Sequence, residues 1–462
     1  MALSHVSDLL FYLMIFGSFP LSTVGAYSGL MAAMAFVSLA VDMGVSPGLV
    51  REFARNRYPP RLVVMEATRL RRLPVALCGL VFSLWACGLH PRKELVLAVA
   101  FAAAAQILRT STNTYSCWLR GVERQETANA LLASGSLGRL AVLGGLVYAR
   151  GVPSLATLFG ALLFVEIVIW WSARSYARSR REFRVHAGMS PQRTVQLRNV
   201  LRVLRRDYLG ISGLTTIQNR LDWVLVSRML SSGALALYAM ANKWYEICQS
   251  LLGMALTAIL PTLSREGDRP GASAAGFLRV VLLASGLLSV GGALIGPELL
   301  RLLWADKYAG GELSLRLLML AVVFATFNAV GFAQLVARHG ERIIVRSTMW
   351  ATLIQLAVNL VAIPRLGILG AVLGMWTLVV SVGLMYAFSN LQGRKVPLLD
   401  GRTYLYMILM VAGVIGLIGL NTPLVIRIPA GVVLWALSAL VLSGEARRLL
   451  HSFWARMEGD LA

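Results

Sequence analysis

The chain has 462 residues, 57% of them hydrophobic, with a mean hydropathy of +0.68 and a formal charge of +22 at pH 7. A soluble domain of that length cannot hide so much apolar surface in one core, so lipid must be the solvent for most of it. The charge on its own would suggest a nucleic-acid binder, but the basic residues fall where membrane topology places them, and nucleic acid is excluded as a partner.

A spanning helix needs roughly 20 mostly apolar residues. Windows of that kind recur at 8–26, 28–46, 73–90, 96–117, 128–149, 154–173, 208–228, 236–262, 276–296, 315–336, 347–363, 368–388, 403–420 and 424–443, which predicts fourteen spans. Pro20 interrupts the first window, yet no A-x-A-like cleavage site follows it, so we read a span rather than a signal peptide. The long basic loop 174–207 separates six spans from six more, and two extra spans follow. The expected fold is therefore an all-α polytopic membrane protein with two six-helix lobes in pseudo-twofold relation and two C-terminal helices. Residues 1–200 form an N-lobe with its basic linker, 201–390 a C-lobe, and 391–462 the last two spans and a tail. Gly25-Ala26-Tyr27-Ser28 opens the second span much as Ala236-Leu237-Tyr238-Ala239 opens the eighth, a faint trace of the internal repeat.

Orientation follows from the cations, because short loops rich in Lys and Arg are retained in the cytoplasm. With the N-terminus inside, 31 of the 44 cations fall in cytoplasmic segments and 8 in outer loops. Both termini are then cytoplasmic, in a multi-pass protein of a bacterial inner membrane. The arginine-rich run from Arg174 to Arg206 reads as an inter-lobe linker on the membrane surface, where basic residues also attract anionic lipid head groups.

No cofactor is indicated. Cys78, Cys87, Cys117 and Cys248 are scattered through spans without metal-ligand spacing, and there is no phosphate-binding G-x-x-x-x-G-K-[ST], G-x-G-x-x-G or H-E-x-x-H. A membrane enzyme such as a polysaccharide polymerase would need a long outer loop carrying catalytic groups. The longest, about 297–314, offers only Glu298, Arg301, Asp306, Lys307 and Glu312. The chain therefore reads as a transporter, not an enzyme.

Several spans carry polar residues at helical spacing, which hydrocarbon penalises unless the stripe faces protein or water. The fourth span shows Gln106, Arg109, Asn113, Ser116 and Arg120; the seventh Ser212, Thr216, Asn219, Trp223 and Ser227. Tyr238, Asn242, Tyr245, Glu246 and Gln249 line the eighth, and Thr348, Thr352, Gln355 and Asn359 the eleventh. For any single Ser, Thr or Asn the competing reading is an interhelical hydrogen bond; several stripes together favour an aqueous cavity. Five cations remain within or at the edge of spans: Arg109, Arg139, Arg220, Lys243 and Arg316. Arg139 can pair with Glu166, and Lys243 with Glu246 three residues on. Arg316 lies near a helix end and can snorkel. Arg109 and Arg220 are the better ligand contacts. The candidate substrate-binding set is thus Arg109, Arg220, Arg139, Lys243, Asn113, Asn219, Gln355 and Asn359, with Asp222, Glu246 and Asp42 as candidates for ion coupling.

At this level the sequence becomes familiar. DMGVSPGLVREFAR at 42–55, LRGVER at 119–124, NRLDWVLVSRML at 219–230, LYAMANKWYE at 237–246, ILPTLSR at 259–265, LLWADKYAGG at 302–311 and IPRLGILGAVLG at 363–374 occur in that order. Together they resemble lipid-linked oligosaccharide flippases of the O-antigen and exopolysaccharide type, within the multidrug/oligosaccharidyl-lipid/polysaccharide export superfamily. The resemblance implies translocation of an undecaprenyl-diphosphate-linked glycan to the periplasmic leaflet, through a V-shaped cavity between two lobes, by alternating access. Membrane lipids and the lipid-linked glycan are the implied partners, with polysaccharide polymerase and chain-length proteins as further ones. The alternative is a cation-coupled multidrug or metabolite antiporter of the same superfamily, which needs acidic rather than basic cavity residues.

Overall fold

The computed structural model describes residues 2–42, 44–89, 93–180, 183, 191–266, 272–337, 341–391, 401–420 and 423–442. The rest of the basic loop at 181–190, the loop at 392–400, the tail with Arg447 and the side chain of Cys87 lie outside them. Among the described residues all regular structure is helical. The elements are α1 (Ala2–Ser18), α2 (Leu21–Asp42), α3 (Val45–Arg55), α4 (Pro60–Leu89), α5 (Lys93–Gly121), α6 (Gln125–Arg150), α7 (Leu155–Ser179) and α8 (Pro191–Met229). They continue with α9 (Ser232–Glu266), α10 (Ala272–Trp304), a 3₁₀ turn (Ala305–Gly311), α11 (Glu312–Ala337), α12 (Glu341–Leu366), α13 (Ile368–Leu391), α14 (Gly401–Gly419) and α15 (Leu424–Leu442).

Helices are what a bilayer permits, because each backbone N–H and C=O must find its partner within the segment. Seven described stretches are long and apolar enough to cross a membrane by length and composition, and the shorter apolar stretches Leu3–Ser18, Leu405–Gly419 and Leu424–Ala439 accompany them. The chain is a multi-pass membrane protein. Among the described residues the fourteen windows correspond in order to fourteen helices, and α3 is an additional short one. The first two windows are displaced by several residues, since α1 stops at Ser18 and α2 begins at Leu21. Pro20 has no N–H and restricts the residue before it, so the chain turns there instead of running through.

The helices group into two compact units, Met1–Ala236 and Leu237–Ala462. In the first unit α5 packs along α7, α1 against α6, and α2 against both α5 and α8. The α2–α3 corner is made by Gly44, whose φ of 72° is a left-handed conformation that a side chain would strain. Gly25 permits another close approach, since a Cβ there would drive into the carbonyl of Ser232 at the start of α9.

Helix α8 has 39 residues and is therefore about 58 Å long, far more than a span requires. Its first turns are not a linker on the membrane surface. Leu197, Leu201 and Leu204 are buried in a cluster with Val45, Leu49, Phe53, Leu62, Val63, Cys117, Trp118 and Phe183. Beside this cluster the Glu66 carboxylate, fully buried, accepts from Arg69 Nη1 at 2.7 Å and Arg198 Nε at 3.0 Å. Apolar burial and a shared carboxylate thus hold the start of α8 against α3, α4 and α5.

In the second unit α12 and α13 form a tight antiparallel pair turned at Gly367, which has φ of 62°. Helix α10 packs on α11 and α15, and α14 on α15. In α9 the residues Tyr238, Ala239, Met240 and Ala241 are buried, and Met240 lies beside Gly311.

Candidate functional site

Three kinds of environment receive the residues singled out by sequence. The first is a buried polar network where α2, α3, α4 and α5 meet. Asp42, the last residue of α2, accepts from the N–H of Ser46 at 3.2 Å and from its hydroxyl at 2.5 Å. Arg71 of α4 reaches in from the other side and donates to the Asp42 carboxylate at 2.6 Å and to the Ser46 hydroxyl at 3.2 Å. The same guanidinium contacts the Thr114 hydroxyl and the Thr110 carbonyl on α5. Asn113 donates to the Ser46 hydroxyl at 3.2 Å, which ties the α5 stripe to the network.

The second environment is an ion-paired triad among α1, α6 and α7. Arg139 donates to Glu166 at 3.0 Å, to Asp8 at 3.0 Å and to the Ser136 hydroxyl at 3.1 Å. Glu166 is buried and the Asp8 side chain is 39% exposed. Tyr27 stacks on Phe159 and shares a hydrogen bond with Tyr12, close enough to both Arg139 and Arg109 to feel their charges. A third pair lies in the other unit, where Lys243 donates to Glu246 at 3.0 Å and Asn242 donates to the same carboxylate at 3.5 Å.

The third environment is open surface at span depth. Arg109 stands midway along α5 and is exposed, with no ion pair among the described residues. Asn219 of α8 is also exposed. Arg220 is half-buried, its guanidinium 5.1 Å over the Trp223 ring, and the buried Asp222 carboxylate accepts from the Trp223 N–H at 2.9 Å.

Gln355 and Asn359 belong to none of these. Both are fully buried in the second unit, with side-chain nitrogen and oxygen atoms that have no hydrogen-bond partner there, and Asn359 rests against Gly374 of α13. The α9 stripe likewise faces inward, since Tyr238, Asn242 and Tyr245 are buried and Gln249 donates to the Val322 carbonyl at 3.1 Å. The structure thus brings Asp42 together with Asn113 and Lys243 together with Glu246.

Arg71 and Asp8 were not legible as partners when the cations were counted by loop. Arg71 stands in a basic stretch with Arg69 and Arg72, which by composition reads as a cytoplasmic loop. The signal was present in its spacing, because Val63, Ala67 and Arg71 recur every four residues on the buried face of α4. Asp8 similarly shares a face with the buried Phe11 and Ile15 of α1.

A bundle of apolar helices with ion pairs buried between them defines a class, the polytopic helical membrane proteins, and solved structures share its fold. The lipid II flippase MurJ, in an inward closed conformation, superposes with a TM-score of 0.69 at 10% identity, over 97% of this chain and 98% of that one. An inward-facing multidrug resistance MATE family transporter of the MOP superfamily gives 0.66 at 15% identity, over 84% and 94%. A MATE protein crystallised in complex with MaD5 gives 0.62 at 16%, over 85% and 93%. These likenesses establish the fold. Comparison with curated proteins by sequence finds no match. The family is given by residues 18–266, which match the model of the polysaccharide biosynthesis proteins; the chain belongs to that family.

Proposed function

We propose that the protein is a flippase for surface-polysaccharide export. It carries an undecaprenyl-diphosphate-linked oligosaccharide from the cytoplasmic to the periplasmic leaflet of a bacterial inner membrane by alternating access, with both termini cytoplasmic. The observation that carries this reading is Arg109, a cation exposed midway along a spanning helix and without an ion pair among the described residues. Such a charge facing hydrocarbon would cost at least about 2.5–3.5 kcal/mol, so it requires water or an anion beside it.

A lipid diphosphate supplies that anion. Arginine presents a planar fork of donors that chelates phosphate oxygens, which lysine cannot reproduce. We assign Arg109 and Arg220 to the diphosphate, with the exposed Asn219 available to the glycan. Three of the acids that a cationic cargo could use are engaged by cations: Asp42 with Arg71, Glu166 with Arg139, and Glu246 with Lys243. The family match and the fold shared with the lipid II flippase MurJ support the same reading. Disrupting the gene should leave lipid-linked glycan on the cytoplasmic leaflet. Normal surface polysaccharide with no such accumulation would refute the assignment.

A further inference from the structure

At one end of the first unit, arginines from two helices converge on a single phenol. Tyr176, in the last turn of α7, accepts from Arg180 Nη2 at 2.8 Å and from Arg124 Nη1 at 3.5 Å. The Arg180 guanidinium also lies 4.6 Å over the Tyr176 ring. Arg124 is fixed by the tight α5–α6 corner, where its N–H donates to the Leu119 carbonyl at 2.8 Å. Arg180 is exposed, and its side chain has no carboxylate partner among the described residues. The Tyr176 phenol oxygen is therefore the acceptor that orients it.

The position along the helix identifies the surroundings. Phe164, Ile167, Val168 and Trp171 are exposed apolar residues of α7, with Phe164 63% and Trp171 64% exposed. Arg174 lies 5.0 Å over the Trp170 ring, the arrangement of an aromatic girdle beside a head group. At 1.5 Å per residue, Tyr176 and Arg180 stand about 7 and 13 Å beyond Trp171 along the axis. The polar layer on each side of the hydrocarbon core is only about 5–8 Å deep, so the phenol lies at head-group level.

We propose that Arg124, Tyr176 and Arg180 form a binding site for the phosphate of an anionic phospholipid in the bilayer around the protein. The two guanidinium groups chelate the phosphate oxygens and the phenol hydroxyl donates to a third, while the acyl chains lie against the exposed apolar surface of the helices. This site is distinct from Arg109 and Arg220 and does not depend on what the protein carries.

The test is native mass spectrometry of the full-length chain in mild detergent, with phosphatidylglycerol and phosphatidylcholine of identical acyl chains. The native protein should retain phosphatidylglycerol preferentially. Each arginine near an anionic surface contributes about fivefold in affinity, so the Arg124→Gln/Arg180→Gln double variant should retain it about 25-fold more weakly. Phosphatidylcholine retention should not change, and Tyr176→Phe should show a smaller loss than the double variant. If the arginines only brace the start of α6 against the end of α7, the double variant melts earlier while its lipid preference is unchanged, and the proposal fails. It also fails if soluble glycerol phosphate displaces phosphatidylglycerol at millimolar concentration.

Discussion

Replacing Arg71 by Met tests whether the α2–α3 corner is held by charge or by packing. The substitution keeps most of the side-chain volume and removes the guanidinium that meets Asp42 at 2.6 Å, Ser46, Thr110 and Thr114. Breaking a buried pair by removing one partner costs about 3–5 kcal/mol, because the remaining charge stays desolvated. The Asp42 side chain is 20% exposed, so water relieves part of that, and we expect the lower end, about 3 kcal/mol. For a unit of this size each kcal/mol moves the melting temperature by about 2–4 °C, which gives about 6–12 °C. Thermal unfolding in detergent, followed by tryptophan fluorescence, reads the shift, since Trp118 lies in the adjoining core. Adding Asp42→Asn should recover about half of the loss, because the stranded charge is gone while an acceptor for the Ser46 N–H remains. A single-variant shift below about 2 °C, or strictly additive losses in the double variant, would show that the pair is not the fastening.

Other perturbations address other parts of the account. Arg139→Gln strands the buried Glu166 and should lower the melting temperature by an amount comparable to Arg71→Met; Glu166→Gln in the same background should restore part of it, and no restoration would remove the pair from the account. Leu201→Ala should cost about 2–5 kcal/mol and expose the start of α8 to protease, whereas unchanged digestion would return that segment to the membrane surface. Gly25→Val places branched carbon against the Ser232 carbonyl and should abolish a stable fold, as judged by monodisperse elution; a well-behaved Val variant would refute the tight contact.

The number and order of the spanning helices could be read from apolar runs because lipid leaves a chain few other solutions. Their ends were less legible. Pro20 looked like an interruption of one span and is instead the turn between two, since a proline without N–H at a helix start resembles one inside it until the flanking hydrogen bonds are known. The docking of 191–204 was hidden by arginines. Arg198 and Arg202 advertise a solvated linker, while Leu197, Leu201 and Leu204 at four- and three-residue spacing carry the opposite message.

Among site residues, the pairs at helical spacing or on adjacent spans, Lys243–Glu246 and Arg139–Glu166, were foreseeable from sequence. Asp42–Arg71 was not, because no local rule joins residues 29 apart on different helices. The polar stripes were real, yet a stripe on one helix does not say which neighbour it meets. Gln355 and Asn359 turn into the interior of the second unit while Arg109 stays open. Periodicity identifies a face, and only packing identifies what the face sees.

The central claim is that an open arginine at span depth serves a phosphate-bearing lipid cargo. It is tested most directly with the purified protein in proteoliposomes, by following a fluorescent polyprenyl-diphosphate oligosaccharide between leaflets with a membrane-impermeant quencher. The account predicts translocation by the native protein. Arg109→Ala should slow it about ten- to a hundredfold, the worth of one charge-assisted hydrogen bond at 1.5–3 kcal/mol, and Arg109→Lys should fall between. A native protein that leaves the lipid where it was placed, or an Arg109→Ala variant that moves it at the native rate, would contradict the claim.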